Sequence, residues 1–428
     1  RLKQADGTPV DNSVEDTWNR VAHALAAGEP ADLRDGWADT FRAAMQDFRV
    51  MPAGRIVAGA GANRDVTLFN CFVMGTVPDT MDGIFSHLRE AALTMQQGGG
   101  IGYDFSTLRP RGAPVKGVGS DASGPVSFMD VWDSMCRTIM SAGSRRGAMM
   151  GCLRCDHPDI EEFVDAKQDA SRLRMFNVSV LATDGFMQAV REDADWPLVF
   201  GGETYHTVKA RRLWDRIMRA TYDAAEPGVI FIDRINQNNN MWYAEEIAAT
   251  NPCGEQPLPP YGACLLGSIN LARLVAQPFT GEARLDTDAL AELTRTAVRM
   301  LDNAIDVSRF PLDAQRREAQ DKRRIGLGVT GLADALAMVG LTYGAQDAVA
   351  ATEQWMATLQ RNAYLASADL AQEKGAFPLF DAEQYLAGET IRGLDADVRR
   401  AIADKGLRNA LVTSVAPTGT ISLFADNV

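Results

Sequence analysis

A thiol stands between an amide and a carboxylate in the segment 251–264, NPCGEQPLPPYGAC, which is too rich in proline and glycine to form a helix. Asn251 and Glu255 each lie two residues from Cys253, so an extended loop would turn all three side chains to the same side. Together they could transfer a hydrogen atom, orient a small molecule and remove a proton from it. The loop alone leaves a second interpretation open, in which Cys253 is a small buried apolar residue in a turn.

The composition of the chain favours a folded protein of the cytoplasm. Its 43 Lys and Arg against 56 Asp and Glu give a formal net charge of −13, whereas proteins that bind nucleic acid usually carry a basic face. No apolar run is long enough to cross a bilayer, and the first residues lack the apolar core of a signal peptide. Six cysteines in 428 residues are too few for a disulfide scaffold. We therefore predict a cytoplasmic protein that binds neither nucleic acid nor a membrane.

Helices and strands are predicted to alternate along a chain long enough for two or three subdomains or one large α/β barrel. Apolar spacing predicts two amphipathic helices within 13–48, and further helices over 81–97, 158–166, 208–225, 287–307 and 349–373. Apolar and β-branched runs predict strands over 66–77, 175–182 and 409–415. This alternation predicts an α/β architecture with a central sheet or barrel, behind a small helical N-terminal region.

Eight segments of the chain together resemble one enzyme family. The loop continues as NPCGEQPLPPYGACLLGSINLA and resembles the active-site segment of the ribonucleotide reductases, especially the adenosylcobalamin-dependent class II type. The other seven follow in the family's order: LFNCFV (68–73), GGGIGYDFSTLRPRGAPVKG (98–117), SGPVSFMDVWD (123–133), SRRGAMMG (144–151), HPDIEEFVDAK (157–167), RRIGLGVTGLADAL (323–336) and APTGTIS (416–422). The resemblance implies the family's ten-stranded α/β barrel over 51–428, with its C-terminal elements missing, behind a helical region over 1–50.

The resemblance also implies how the loop would act on a ribonucleotide. Cys253 resembles the cysteine whose thiyl radical takes the 3′ hydrogen of the ribose. Glu255 resembles the base that removes the 3′-hydroxyl proton, and Asn251 the amide that binds the sugar hydroxyls. Cys71 and Cys264 resemble the dithiol pair that supplies two electrons while the 2′-hydroxyl leaves as water. The disulfide so formed would be reopened by thiol exchange with a thioredoxin-like protein or a small thiol.

Further residues resemble the family's substrate contacts. A turn rich in glycine and hydroxyl groups, as at 417–422, can bind an anion, although such turns are more often simple helix caps. The resemblance favours a diphosphate there. The positions it assigns to the substrate are Asn70, Gly99, Pro252, Gly254, Pro417, Thr418, Gly419, Thr420 and Ile421. Gly54 stands where many relatives carry Ser or Thr, which suggests a backbone contact in place of a hydroxyl.

The family binds a deoxynucleoside triphosphate effector at the interface of a homodimer. Asp79 matches an acidic effector contact, and Lys116, Arg172 and Arg174 match the basic residues of two specificity loops. Solvated surface charge is the alternative interpretation of all four residues. The resemblance therefore implies, without excluding that alternative, an effector site and a homodimer.

Two other motifs suggest sites that we discount. GLGVTG (326–331) fits the G-x-G-x-x-G dinucleotide pattern, but the resemblance explains it as packing between a strand and a helix. Cys152, Cys155 and His157 resemble half of a zinc site or a redox pair, yet a closed zinc site needs about four ligands. Because the family does not require cysteines there, we predict incidental thiols and no metal ligand. Cys136, in an apolar helical stretch, is predicted to be a core residue.

The resemblance ends where the sequence ends, six residues after APTGTIS. Family members continue to a tail with a cysteine pair that relays electrons, whereas the last cysteine here is Cys264. We therefore expect a truncated chain, one part of a split enzyme with a C-terminal companion chain, or an enzyme with another reductant. Two alternatives to a cobalamin-dependent reductase stay open: the large subunit of a metal-dependent class I reductase, and a nucleotide-binding fragment without turnover.

Overall fold

The computed structural model describes residues 3, 7–115, 119–139 and 147–428. These residues form two compact units. The first comprises Arg1–Asn70 and Ala263–Val428, and the second comprises Cys71–Gly262. Lys116, predicted to contact an effector, lies outside the described residues.

The α-helices of the described residues are numbered in chain order. They are α1 (Val14–Ala26), α2 (Arg34–Met45), α3 (Gly54–Gly59), α4 (Met81–Gln96), α5 (Pro125–Thr138), α6 (Ile160–Asp165), α7 (Asp184–Glu192), α8 (Ala210–Ala224), α9 (Ile232–Gln237), α10 (Thr287–Val307), α11 (Asp313–Lys322), α12 (Leu332–Met338), α13 (Gln346–Lys374), α14 (Ala382–Ala387), α15 (Glu389–Arg392), α16 (Ala396–Lys405) and α17 (Gly419–Ala425). Among them, no helix is both long and apolar enough to cross a membrane.

The β-strands are numbered in the same way. They are β1 (Val50–Pro52), β2 (Cys71–Val73), β3 (Gly100–Asp104), β4 (Pro114–Val115), β5 (Ser120–Asp121), β6 (Met149–Arg154), β7 (Phe176–Ala182), β8 (Asp195–Phe200), β9 (Glu203–Lys209), β10 (Gly228–Phe231), β11 (Ala249–Thr250), β12 (Pro257–Leu258), β13 (Ala263–Asn270), β14 (Val275–Ala276), β15 (Arg284–Leu285) and β16 (Ile325–Thr330).

The second unit contains a parallel sheet in the order β2-β3-β6-β7-β10. Its register pairs Cys71 with Gly100, Gly102 with Met150, and Met150 with Asn177. Paired residues on neighbouring strands point to the same side of a sheet, and so do residues two apart on one strand. These five residues therefore lie on one face, which we call the site face.

The first unit contains the strands β1, β13 and β16, with β13 antiparallel to β1 and parallel to β16. All residues of β13 are buried, as expected for a strand covered on both faces. The helix α10 covers this strand, since a Cβ on Gly267 would lie 3.3 Å from the Leu301 side chain. The N-terminal helix α1 begins at a capping box, in which the Ser13 hydroxyl accepts from the Asp16 N–H. The core of this unit therefore lies around β13.

A buried carboxylate joins the N-terminal helices to α10 and α13. Glu29 is 2% exposed and accepts from Arg299 Nε at 2.7 Å, Asn303 Nδ2 at 2.7 Å and Lys374 Nζ at 2.9 Å. Burial alone would raise the pKa of Glu29, but these donors lower it from 4.5 to about 2. The ionised carboxylate therefore stabilises the fold.

Replacing Glu29 by glutamine is expected to lower the free energy of unfolding by about 3 kcal/mol at pH 7, because it leaves the buried Arg299 and the half-buried Lys374 less well paired. Since folding depresses the pKa of Glu29, its contribution is present above pH 4.5 and is lost as the pH falls towards about 2. Urea unfolding at several pH values measures both effects. The wild-type stability should fall more steeply below pH 4.5 than that of Glu29→Gln.

Glu373→Gln is the matched control for this prediction. Glu373 also contacts Arg299, at 2.7 Å, but its side chain is 46% exposed. Exposed pairs contribute at most about 1 kcal/mol. If Glu29→Gln destabilised the protein no more than Glu373→Gln, the buried network would not hold the helices together.

Most predicted elements are confirmed, with two corrections. The predicted helices correspond to α1, α2, α4, α6, α8, α10 and α13, and the strand 175–182 to β7. The mixed α/β class is confirmed, and ten strands stay a prediction. The strand predicted over 66–77 is restricted to 71–73. The strand predicted over 409–415 is wrong: this extended segment bonds to β16, as from Leu327 N to Val412 O, but forms a single bridge there, at Thr413.

The G-x-G-x-x-G segment lies in β16 and ends at the residue before α12, and its interpretation as packing between a strand and a helix stays a prediction. A Cβ on Gly328 would lie 2.2 Å from Ser414 O. The close approach of this other backbone segment explains why the position is a glycine. Gly331 has a φ of +70°, and α12 starts directly after it. The glycines therefore serve the fold of the first unit.

Candidate active site

Cys253 is exposed at the tip of a short hairpin in the second unit. The strands β11 and β12 pair antiparallel, and the Asn251 N–H donates to Gln256 O at 3.2 Å. The chain reverses within the tip, because the Gly254 N–H donates to Asn251 O at 3.0 Å and Gly254 has a φ of +84°. The predicted extended loop is therefore wrong. Tight turning buries Asn251, half-buries Glu255 and leaves Cys253 exposed.

The two polar atoms of the Asn251 side-chain amide have different surroundings. Its Oδ1 accepts from the Gln256 N–H at 2.9 Å and from the Thr250 hydroxyl at 3.2 Å. A backbone N–H can only donate, so the atom facing Gln256 is the oxygen. The Nδ2 of this fully buried residue has no hydrogen-bond partner among the described residues. The oxygen therefore shapes the tip, and the buried Nδ2 is a donor that the hairpin does not use.

Two glycines on the site face allow the hairpin to lie against β3. A Cβ on Gly102 would come within 1.8 Å of Thr250 O, and one on Gly100 within 3.1 Å of Pro252 Cγ. The backbone therefore approaches too closely for any side chain at Gly102. The Asn177 amide adds a bond from β7, with Nδ2 donating to Pro252 O at 2.7 Å.

The two cysteines of the predicted dithiol pair lie in different units. Cys71 begins β2 and is half-buried, and its Sγ would lie 3.4 Å from a Cβ on Gly100. The thiol therefore borders the same small space as the Pro252 ring. Cys264 is fully buried on β13, and a Cβ on Gly326 would lie 3.0 Å from its Sγ. All six cysteines carry thiols, and the pairing of Cys71 with Cys264 stays a prediction.

The predicted phosphate loop leads into α17 in the first unit. Thr418, with a φ of +57°, precedes the helix, and the Ser422 N–H donates to its carbonyl at 2.8 Å. No atom lies within 4 Å of a Cβ on Gly419. The first N–H groups of a helix lack partners within the helix, so this turn offers donors to an anion. Pro417 and Thr420 are exposed, and Ile421 is buried.

Three other residues were predicted to contact the substrate: Asn70, Gly99 and Gly54. Asn70 is half-buried, and its Oδ1 has no hydrogen-bond partner among the described residues. A Cβ on Gly99 would lie 2.7 Å from the Phe72 ring, so packing alone explains that glycine. Gly54 begins α3 with open space around it. Substrate contacts of these residues stay predictions.

Two of the predicted effector contacts form ion pairs. The Asp79 carboxylate accepts from Arg109 Nε at 2.8 Å, and Arg109 also donates to the Asp79 carbonyl at 3.2 Å. Arg172 pairs with Asp130 at 2.8 Å. Arg174 is exposed. These pairs fix loops of the second unit, and an effector role for the residues stays a prediction.

The remaining thiols are buried and protonated. Burial raises the pKa of Cys155 and of Cys136 to about 11, and raises that of Cys152 further. His157 is fixed by backbone groups, since its Nε2 donates to Leu108 O at 2.9 Å and its Nδ1 accepts from the Asp159 N–H at 3.0 Å. Zinc ligation requires thiolates. Within the described ranges, no group of three His, Cys, Asp or Glu residues could hold a metal ion.

An open cleft of about 460 Å³ borders the hairpin tip in the second unit. The lining residues come from β10, α9 and the hairpin, and most of them are apolar: Val229, Ile230, Phe231, Arg234, Ile235, Asn238, Thr250, Gly254 and Pro257. Gly254, the neighbour of Cys253, thus faces a space large enough for part of an organic ligand.

Comparison with known families covers nearly the whole chain. The family described as the ribonucleotide reductase barrel domain matches residues 69–428, and the one described as the ribonucleotide reductase all-alpha domain matches residues 1–65. This chain belongs to the ribonucleotide reductase family. The resemblance inferred from the eight sequence segments is thereby confirmed.

Curated relatives of this reductase-family chain are longer than it is. A vitamin B12-dependent ribonucleoside-diphosphate reductase of Mycobacterium tuberculosis is 40% identical over 99% of this chain and 59% of its own length. A protein of the same name from Thermoplasma acidophilum is 37% identical over 90% of this chain and 48% of its own length. A ribonucleoside-diphosphate reductase subunit alpha of Chlamydia pneumoniae is 28% identical over 95% of this chain and 44% of its own length. The chain thus spans about half the length of the curated relatives it matches.

Sequence reasoning missed three residues that shape the second unit near the tip. Asn177 interrupts the apolar run MFNVSVLA with an amide, which was a usable signal for a specific contact. Gly102 follows Gly100 at the spacing of one strand face, but the run of glycines suggested a helix stop. Arg109, which ties the loop of Asp79, carried no distinguishing signal.

Proposed function

We propose that this chain reduces ribonucleotides to 2′-deoxyribonucleotides, which are precursors of DNA, by a cysteine thiyl radical. One observation carries the proposal. The Oδ1 of Asn251 accepts hydrogen bonds within the hairpin, and its buried Nδ2 remains a donor two residues from the exposed thiol of Cys253. A donor fixed in this way can orient a sugar hydroxyl beside the thiol. Family membership supports the same chemistry.

Each polar group of the tip has one task in the proposed reaction. The Cys253 thiyl takes the hydrogen atom from C3′ of the ribose, the Glu255 carboxylate accepts the 3′-hydroxyl proton, and Asn251 Nδ2 donates to a sugar hydroxyl. Cys71 and Cys264 supply two electrons and two protons. The 2′-hydroxyl leaves as water, the 2′ carbon gains hydrogen, and the two thiols become a disulfide. Cys253 finally returns the hydrogen atom to C3′ and is a thiyl radical again.

The proposed substrate contacts follow from the family resemblance. Asn70, Gly99 and the backbone of Pro252 and Gly254 would contact the nucleoside. The turn at 417–421 would bind the diphosphate through helix N–H groups and the hydroxyls of Thr418 and Thr420. The relatives named ribonucleoside-diphosphate reductases support a diphosphate.

The cleft beside Gly254 is the proposed place for the adenosyl part of a cobalamin cofactor. Its lining combines an apolar part, from Val229 to Phe231 and at Ile235, with the polar Arg234, Asn238 and Thr250, and its volume is closer to that of the adenosyl part than to that of the whole molecule. Bound there, the cofactor would supply the one-electron oxidising equivalent for the Cys253 thiol. Relatives with vitamin B12 dependence in their names are 37–40% identical, against 28% for the relative named subunit alpha, which favours cobalamin over a metal-containing radical subunit.

The proposed partners follow from the same reasoning. A second copy of the chain would form a homodimer, which the exposed Met81 and Phe85 on α4 support. A deoxynucleoside triphosphate effector would bind near Asp79, Arg172 and Arg174. A thioredoxin-like protein or a small thiol would reopen the disulfide, in the cytoplasm.

Adding adenosylcobalamin, dithiothreitol and a ribonucleoside diphosphate to the protein is expected to yield the 2′-deoxynucleoside diphosphate, measured by chromatography. Omitting the cobalamin should abolish the product. Product that appears only with an added radical-generating metalloprotein would instead identify a class I large subunit. Nucleotide binding without product under either condition would identify a fragment without turnover.

A further inference from the structure

Asn177 is a polar residue on the site face of β7 with a specific partner. Phe176, Val178 and Val180 alternate with it and are buried. The Asn177 side chain instead reaches the hairpin, where Nδ2 donates to Pro252 O at 2.7 Å. The strand β7 therefore places a neutral hydrogen-bond donor at the peptide group between Pro252 and Cys253.

That hydrogen bond acts directly on the orientation of Cys253. Pro252 O and the Cys253 N–H belong to one planar peptide group, so a bond that fixes the carbonyl also fixes the plane that carries the Cys253 Cα. The adjoining turn is closed by the bond from Gly254 N to Asn251 O at 3.0 Å. The direction of the Cys253 side chain is therefore set from both sides of the residue.

The rest of the site face does not replace this bond. Asn177 pairs in register with Met150, which pairs with Gly102. Because Gly102 has no side chain, Thr250 of the hairpin can approach it closely, but Gly102 itself makes no side-chain contact with the hairpin. Gly100 leaves space for the Pro252 ring in the same way. These glycines permit the approach of the hairpin, whereas the Asn177 amide fixes its rotation.

We propose that Asn177 is a positioning residue that holds the Pro252–Cys253 peptide so that the thiol faces the substrate. The inference rests on the proposed function for its effect on turnover, but its structural part can be measured without turnover. An aspartate of the same shape would set a carboxylate against the Pro252 carbonyl at neutral pH and lose the donor. Shape and hydrogen bonding can therefore be separated.

The test compares Asn177→Ala and Asn177→Asp with the control Ser179→Ala. Ser179 lies on the same face of β7, but its hydroxyl faces Gly228 of β10. Amide hydrogen exchange of the segment 249–258 should become about 10-fold faster in both Asn177 variants and stay unchanged in the control. The kcat should fall by about 10- to 100-fold, as expected for a misplaced reacting group, while KM stays within about 2-fold.

Each outcome decides the inference. Unchanged exchange at 249–258 in both Asn177 variants would overturn it, whatever the activity. Asn177→Asp with wild-type exchange would also overturn it, because shape alone would then suffice. Faster exchange spread over the whole second unit would overturn it by showing a general loss of stability. If the wild type has no turnover, the proposed function fails, and local exchange still decides the role of Asn177.

Discussion

Gly102→Ala is expected to lower turnover by about 100-fold, because the added Cβ would lie 1.8 Å from Thr250 O and 2.9 Å from Thr250 C. Both atoms belong to the backbone, so no change of side-chain rotamer can relieve the contact. The hairpin must move away from β3 and carry the Cys253 thiol with it. A displacement of about 1 Å at a reacting group costs about that factor in rate. Product formation per folded protein measures the effect.

The fold itself should survive this substitution. Overpacking at a single position costs about 1–3 kcal/mol, so urea unfolding should stay cooperative with a lower midpoint. Gly185→Ala is the matched control, because Gly185 lies within α7 and its nearest contact to an added Cβ is at 4.0 Å. Alanine in a helix should raise stability there by about 0.5–1 kcal/mol and leave turnover unchanged. Wild-type turnover and stability in Gly102→Ala would contradict the close approach of the hairpin.

Helices were the most predictable part of the fold. In the segment 287–307, Leu290, Leu293, Leu301 and Ile305 recur with the helical period, and α10 has the predicted bounds. Apolar runs were less specific. NALVTSV has the composition of a strand but forms one bridge, since strand assignment depends on a partner that the local sequence does not specify.

The geometry of the candidate site could not be predicted from the sequence, and the roles of its residues stay predictions. The spacing of Asn251, Cys253 and Glu255 indicated shared chemistry, and an extended loop would have turned all three side chains to the same side. Instead the backbone bonds across the tip and the left-handed conformation of Gly254 turn Asn251 inward and Cys253 outward. Asn177 is separated from the hairpin by more than 70 residues, so no local pattern could reveal its bond to Pro252 O.

Cys253→Ser is expected to reduce turnover by a factor on the order of 10⁴ or more, because a single group that reacts with the substrate carries most of the rate enhancement. A serine hydroxyl holds its hydrogen more strongly than a thiol and does not form the required radical. Cys253 is exposed, so the free energy of unfolding should change by no more than about 0.5 kcal/mol. Cys136→Ala, which alters a buried thiol of α5, should retain turnover per folded protein.

A single-turnover assay tests the central claim most directly. Wild type and Cys253→Ser, both with their thiols reduced beforehand, are mixed with adenosylcobalamin and a ribonucleoside diphosphate without any external reductant. The wild type should form deoxyribonucleotide in proportion to its active sites, as Cys71 and Cys264 are oxidised, and Cys253→Ser should form none. Equal amounts of deoxyribonucleotide from the two proteins would contradict the role of Cys253.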